Sequence, residues 1–174
     1  ARDILERMHR AMHGIDDLSH RLLDLARLDT GVVEPRMAVF ALQPVLATIA
    51  TRFQPIAAER GLSFRYRAPE RTLFVRSDPA LLTESLMNLL SNAFRYTERG
   101  GILLALRARA DHHLVQVWDT GIGISEADRT RIFDEFVQLR PPGRRTTQGV
   151  GLGLAIVARL AKVIDARASV RSRV

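Results

Sequence analysis

The chain has 174 residues, 47% hydrophobic and 26% charged, the balance of a protein that buries a real core. That excludes a disordered, collagen-like or solenoid chain, and the length suits one globular domain plus an extra element. No stretch approaches the roughly 20 apolar residues of a membrane span. With no cysteine, disulfides, thiolate metal sites and cysteine nucleophiles are ruled out. The net charge of +7 invites a phosphate or nucleic-acid partner. Yet Lys162 is the only lysine among 26 basic residues, and the arginines are scattered. Such skew reads as compositional bias, and no nucleic-acid partner is expected. Residues 1–6 already read as helix rather than as a secretory leader. A cytoplasmic location is expected, any membrane anchor lying outside this stretch.

Ile4, Met8, Ala11, Ile15, Leu18, Leu22 and Leu25 recur at alternating spacings of four and three, the seam of a helix in a bundle or coiled coil. Gly31 suits the turn that ends it, and Pro35 prevents its resumption. One amphipathic helix cannot bury such a seam alone, so its partners are expected in a second subunit or in a helix outside this chain. After Pro35 the pattern predicts a short strand at 37–42 and a helix at 43–60 closed by Gly61. Leu62, Phe64, Tyr66 and Ala68 alternate with Ser63, Arg65 and Arg67 as a half-buried strand. A short strand at 72–76 follows. Asp78 then caps a helix with Pro79 at its first position, running to about Thr97. Strands are expected at 101–109 and 112–119, with a tight turn at Ala110-Asp111. The loop 120–148 holds a short helix at 126–133, and a last helix at 150–164 precedes a terminal strand at 168–174. This order predicts an α/β (α+β) two-layer sandwich: a mixed sheet covered by about three helices on one face, preceded by a long N-terminal bundle helix. The domain boundary falls at 31–36.

Three stretches carry candidate chemistry. On the helix after Asp78, residues Glu84, Asn88, Asn92 and Arg95–Tyr96 share one stripe, while Leu82, Leu86, Leu89 and Ala93 point to the core. Two asparagines stacked mid-helix call for a reason, because asparagine is a mediocre helix former. Their carboxamide oxygens can ligate Mg²⁺ without adding negative charge beside phosphates. A solvated polar face accounts for this stretch alone equally well. Asp119-Thr120-Gly121-Ile122-Gly123 follows a strand; its carboxylate can accept a hydrogen bond from a ligand amino group, and its glycines admit close backbone approach. Alone it reads as a plain Asp-Gly turn. Gly149-Val150-Gly151-Leu152-Gly153 opens a helix whose free N–H groups can cradle phosphate. It follows a polar loop rather than a strand, against a dinucleotide fingerprint, and it lacks the Lys-Ser/Thr ending of a Walker loop.

In this order and spacing, with Phe133-Asp134-Glu135-Phe136 between the last two, these stretches resemble the N, G1, F and G2 boxes of the catalytic ATP-binding domain of sensor histidine kinases. That domain is part of the superfamily shared with gyrase, the Hsp90 chaperones and the mismatch-repair ATPases. The resemblance covers about residues 37–174. Residues 1–31 then resemble the second helix of the family's dimerisation and histidine-phosphotransfer hairpin. The resemblance implies ATP and Mg²⁺ as ligands, with Asn92 on the metal and Asn88 supporting metal or phosphates. Arg95 stands where the family usually has lysine and would neutralise phosphate with a different geometry. Tyr96 would pack near the adenine. Asp119 would bind the adenine amino group, with Gly121 and Gly123 admitting the base. Phe133 and Phe136 would anchor one end of a lid at about 134–148, and Gly149, Gly151 and Gly153 would meet the phosphates. Arg144 or Arg145 could reach the γ-phosphate, although solvated loop arginines account for them as well.

Hydrolysing relatives carry a glutamate four residues before the metal-binding asparagine. Here that position is Asn88, which cannot take a proton, and Glu84 lies one turn further away. The implied activity is transfer of the ATP γ-phosphoryl to a histidine, for relay to an aspartate of a response regulator, in a homodimer. A hydrolysing ATPase of the same superfamily and a non-catalytic signalling scaffold are the alternatives. The family's phosphoacceptor box is missing. His9, His13 and His20 fall on the second helix of the hairpin and His112 and His113 at a strand turn, where packing or solvated roles suffice. Asp165-Ala166 replaces the usual glycine pair near the C-terminus. The expectation is a piece of a longer kinase that binds Mg-ATP without autophosphorylating.

Overall fold

The structure is a computed structural model in which residues 19, 22, 23, 25–28, 30–138 and 150–173 are described. Strand β1 (Ala38–Ala41) leads into helix α1 (Leu42–Glu59). Then come β2 (Ser63–Arg67), β3 (Phe74–Ser77), helix α2 (Pro79–Tyr96), β4 (Gly101–Ala108), β5 (His113–Asp119), a 3-10 turn at Arg131–Phe133, and helix α3 (Gly153–Val163).

Helix α1 buries Leu42, Leu46, Ile49, Phe53 and Ala57, apolar positions three and four apart that share one face. It closes in a Schellman turn. Gly61 takes φ +64°, the Leu62 N–H bonds to Ala57 O at 2.9 Å, and the Gly61 N–H bonds to Ala58 O at 3.1 Å. Helix α2 starts at Asp78, whose Oδ1 accepts from the Ala80 and Leu81 N–H groups at 2.8 and 3.1 Å, with Pro79 preset in the first turn. The other carboxylate oxygen takes the Arg36 N–H at 2.7 Å, which ties the incoming chain to the helix head.

The sheet runs β2-β4-β5, parallel between β2 and β4 and antiparallel between β4 and β5, while β1 and β3 form a separate antiparallel pair. Inward-facing Phe64, Ile102, Leu104 and Leu106 meet α1 and α2 in the main core. Phe53 of α1 stacks on Phe94 of α2 at 5.1 Å between ring centres, and Phe64 of β2 meets Phe94 edge-on at 5.6 Å. These aromatic pairs add to the area that each ring buries. A second apolar cluster joins Leu152, Ala155, Ile156 and Leu160 of α3 to Leu25 and Leu28 of the N-terminal helical residues and to Leu81 of α2. Among the described residues, no helix is long and apolar enough to cross a membrane.

The mixed sheet under helices agrees with expectation, and several details are corrected. The strand expected at 72–76 lies at Phe74–Ser77, since Leu73 turns into the core and accepts the Leu42 N–H at 2.9 Å. The helix expected at 126–133 shortens to Arg131–Phe133. The last helix starts at Gly153 rather than residue 150, because Gly151 at φ +79° turns the chain first. Residues 168–173 form no strand. Ser172 instead accepts the Ile124 N–H on its Oγ at 2.9 Å and an Arg129 Nη2 bond on its carbonyl at 3.0 Å. On α2 the fully buried stripe is Leu86, Leu90, Ala93 and Phe94, while Leu82 and Leu89 pack against the same core half-buried, as the expected core face requires. Leu25, expected to need a partner from outside the chain, is 5% exposed against α3 of the same chain. The seam residues before Leu22, and His9, His13 and His20, lie outside the described residues.

Burial pushes the Asp78 carboxyl up, but hydrogen bonds from the Leu81, Arg36 and Ala80 N–H groups and the Arg36 charge outweigh it, holding the pKa below the usual carboxylate range. A folded pKa below the unfolded value of about 3.9 means the contribution is complete above that value and is lost as pH falls through the folded pKa. Asp78→Ala is expected to cost about 1–2 kcal/mol in urea unfolding at neutral pH. The gap from the unaltered chain should narrow as pH is taken below about 4.

Candidate functional site

Helix α2 has one face in the core and a second face carrying Glu84, Asn88 and Asn92, all half-buried. The Asn88 Nδ2 donates to the Glu84 carbonyl at 3.1 Å, turning its Oδ1 outward from the helix axis. The first turn of α3 lies directly against this face. A Cβ placed on Gly153 would lie 3.2 Å from Asn92 Nδ2 and 3.5 Å from Asn88 Oδ1. A Cβ there would meet the Asn92 carboxamide tightly and the Asn88 carboxamide at ordinary contact distance, so the helix head and both carboxamides are close neighbours. Helix α3 begins with no side-chain cap and no acidic residue in its first turn. Its first N–H groups are left to other partners, and the positive end of the helix dipole adds to their pull on an anion.

The strand-end aspartate is held by its own loop. Asp119 Oδ1 accepts the Gly121 N–H at 2.9 Å, an Asx turn that sets the carboxylate direction. Ile122 N–H donates to the Tyr96 carbonyl at 3.3 Å, so the loop is laced to the end of α2. A Cβ on Gly121 would fall 2.5 Å from Tyr96 O and 2.7 Å from Asp119 Oδ1, leaving glycine as the residue that fits. Gly123 takes φ +72°, open to glycine at no steric cost. The Thr97 hydroxyl, one residue beyond Tyr96, is buried and finds no hydrogen-bond partner among the described residues. An orphaned hydroxyl is costly unless a ligand or water completes it.

The third element is the turn at Phe136. This residue takes φ +61°, a strained region for an aromatic side chain, with 57% of its surface exposed. Gly151 packs onto it: a Cβ there would sit 2.7 Å from Val137 O and 2.9 Å from Phe136 C. Glu135 is ion-paired with Arg159 on α3. The stretch before residue 139 is therefore fastened to the glycine turn and to α3.

The structure thus brings together Asn88 and Asn92 with Gly153, Tyr96 with Gly121 and Asp119, and Phe136 with Gly151. Arg95 is exposed in the last turn of α2. Gly149, Arg144 and Arg145 lie outside the described residues. The Glu135–Arg159 pair leaves no mark in the sequence, since nothing local makes two residues 24 apart neighbours. Thr120 is unmarked as well: its Oγ1 donates to Arg99 O at 3.0 Å and accepts the Gly101 N–H at 2.9 Å, joining the loop to the start of β4. A hydroxyl between an aspartate and a glycine is the only signal it offers.

The donor set fits a nucleotide with its metal. The asparagine carboxamides supply neutral oxygens, the uncapped head of α3 supplies N–H groups, and the fixed Asp119 carboxylate supplies an acceptor. Among the described residues, no three His, Asp or Glu side chains gather as a metal cage. A divalent ion at the asparagines would need further oxygen ligands from phosphate or water.

Residues 77–174 match the family described as histidine kinase-, DNA gyrase B-, and HSP90-like ATPase. The chain is 32% identical over 152 residues to the sensor histidine kinase RcsC of Escherichia coli strain K12, covering 87% of this chain and 16% of that protein. The chain therefore spans about a sixth of that relative's length. Among solved structures it is similar to full-length ShkA in complex with AMPPNP, at TM-score 0.78 and 32% identity, covering 93% of this chain and 34% of that one. It is also similar to the catalytic domain of the histidine kinase ThkA, at TM-score 0.62 and 26% identity, covering 73% of this chain and 80% of that one.

Gly121→Ala is expected to cost about 1–3 kcal/mol by urea unfolding, because backbone rather than a flexible side chain must give way. Arg159→Glu should weaken nucleotide binding by about fivefold, the scale of a half-exposed ion pair. The reciprocal exchange Glu135→Arg with Arg159→Glu should restore it, as read by calorimetric titration.

Proposed function

The chain belongs to the family of histidine kinase-, DNA gyrase B- and HSP90-like ATPases, and on that premise we propose that it is the ATP-binding catalytic part of a sensor histidine kinase. In the intact protein it delivers the γ-phosphoryl of ATP to a histidine outside this stretch, for relay to an aspartate of a response regulator. Residues 37–174 form the catalytic domain, and residues 1–31 are the second helix of the dimerising phosphotransfer hairpin. The observation that carries this reading is the packing of the first turn of α3 on the asparagine face of α2, so close that a Cβ on Gly153 would lie 3.2 Å from the Asn92 carboxamide nitrogen, which sets an uncapped helix head beside neutral oxygen ligands.

Asn92 holds Mg²⁺ through its carboxamide oxygen, and Asn88 supports metal or phosphates from one turn earlier. When bound, the ion offsets phosphate charge. Gly149, Gly151 and Gly153 present backbone N–H groups to the phosphates, and Arg95 adds a positive charge at the end of α2. Asp119 accepts a hydrogen bond from the adenine amino group, its direction preset by the Gly121 N–H. Tyr96 flanks the base, and Gly121 and Gly123 keep space for it. Phosphoryl transfer of this kind depends on alignment and charge stabilisation more than on covalent help from the protein. Asn88 offers no carboxylate to deprotonate water, so the site retains ATP for the histidine rather than hydrolysing it.

Titration of the chain with Mg-ATP in a calorimeter should give saturable binding with negligible steady-state hydrolysis. Asn92→Ala and Asp119→Asn should each weaken binding by about tenfold or more, the worth of a hydrogen bond to a charged group. Rapid hydrolysis abolished by Glu84→Ala would instead assign a hydrolysing ATPase. Absence of saturable binding would leave a scaffold.

A further inference from the structure

The sheet has a second face that the nucleotide site does not use. Strand β4, the central strand, reads Gly-Ile-Leu-Leu-Ala-Leu-Arg-Ala, apolar on both sides for most of its length. Ile102, Leu104 and Leu106 point inward to α1 and α2. Leu103 and Ala105 stand on the outward register, between Arg65 and Arg67 of β2 on one side and Trp118 and Gln116 of β5 on the other, Leu103 half-buried and Ala105 only 3% exposed. Strands apolar on both sides are typical of sheets covered on both faces, whereas an open sheet face is normally polar. Here the outer face keeps its apolar centre, and Trp118 on it is 52% exposed. With Leu103, Arg65, Arg67, Ser63 and Gly101, Trp118 lines a shallow concavity of about 390 Å³, whose end is bordered by Ile102, Asp119 and Thr120.

The charge on this face has one sign. Its outward positions on the three strands are Ser63, Arg65 and Arg67; Gly101, Leu103, Ala105 and Arg107; and Leu114, Gln116 and Trp118. No aspartate or glutamate stands among them. Among the described residues, Arg65, Arg67 and Arg107 have no carboxylate partner. Gln116 Oε1 is also buried without a hydrogen-bond donor among the described residues, although its side chain belongs to the outer row. A half-exposed tryptophan beside paired arginines is the composition of an interface centre, where aromatic and guanidinium groups carry most of the binding energy.

We propose that the outer face of the β2-β4-β5 sheet is a docking surface for an acidic protein segment. Its carboxylates pair with Arg65 and Arg67, and an apolar side chain of the segment seats between Trp118 and Leu103. Opposite charge steers the encounter and sets specificity, and the tryptophan and leucine supply the apolar contact. The residues that carry this proposal, Arg65, Arg67, Leu103 and Trp118, are not among those assigned to the nucleotide, and the concavity meets that site at Asp119.

Trp118 is the only tryptophan in the chain, so its fluorescence, read without nucleotide present, reports on this face. The full chain is titrated with a short synthetic peptide of glutamates flanking a central leucine pair, with the lysine counterpart as control. The expected result is a saturable blue shift with the acidic peptide and none with the basic one. The apparent affinity should fall about tenfold or more in Arg65→Glu/Arg67→Glu, and also on raising salt from low to physiological levels. Arg65→Gln/Arg67→Gln, which removes charge without reversing it, serves as the second variant, and circular dichroism confirms that both remain folded. An unmoved Trp118 emission, or equal affinity in either folded double variant, overturns the proposal. A stronger response to phosphatidylserine vesicles or to duplex DNA also overturns it, reassigning the face to a membrane or to nucleic acid.

Discussion

The first turn of α3 lies against the asparagine face of α2, with Gly153 at the point of closest approach. A Cβ on Gly153 would come to 3.2 Å from Asn92 Nδ2. That close approach brings two neutral carboxamides to an uncapped helix head, so oxygen donors and N–H donors face the same small volume. The apolar residues of α3 make the approach stable: Leu152, Ala155, Ile156 and Leu160 pack into the second cluster with Leu81 from the first turn of α2. Burial of that cluster thus positions the polar groups beside it, and the chemistry of the site depends on packing a few residues away.

Helix α2 carries both sides of this arrangement. Its inner face, Leu86, Leu90, Ala93 and Phe94, is set against the sheet and α1, with Phe94 between Phe53 and Phe64. Its start is pinned by Asp78, which satisfies two N–H groups of the first turn and one from the incoming chain. Its end is laced to the Asp119 loop through the Tyr96 carbonyl. Held at both ends and along one side, α2 presents Asn88 and Asn92 on a rigid element, where a binding group is placed more accurately than on a loop.

The same sheet supports two different surfaces. On its inner face the alternation of β2 and β5 feeds the core, and the end of β5 delivers Asp119 to the proposed nucleotide site. On its outer face Trp118, the residue before Asp119, stands in the open beside Arg65 and Leu103. The alternation of a strand makes this possible, since consecutive side chains point to opposite faces. Two neighbouring residues can therefore serve separate roles without competing for space.

Much of the site is legible in the sequence because its signals are local. The helix after Asp78, the turn after Gly61, the strands on either side of Ala110-Asp111 and the asparagine, aspartate and glycine stretches all follow from spacing and turn chemistry within a few residues. Their combination is enough to point to a nucleotide site. Other features are not legible, for physical reasons that differ. Within the strand expected at 168–174, residues 168–173 form no ladder, and Ser172 instead takes bonds from Ile124 and Arg129, contacts that propensity does not register. Leu25 finds its partner on α3 rather than outside the chain because burial is settled by whatever apolar surface the fold brings near. The Glu135–Arg159 pair, the orphaned Thr97 hydroxyl and the exposed position of Trp118 belong to the tertiary structure alone. The sequence by itself determined most of the elements and where the candidate polar groups fall on them, since periodicity and turn residues act over short range. The tertiary structure decided which of those groups meet, because contact across the chain depends on how the helices and the sheet pack.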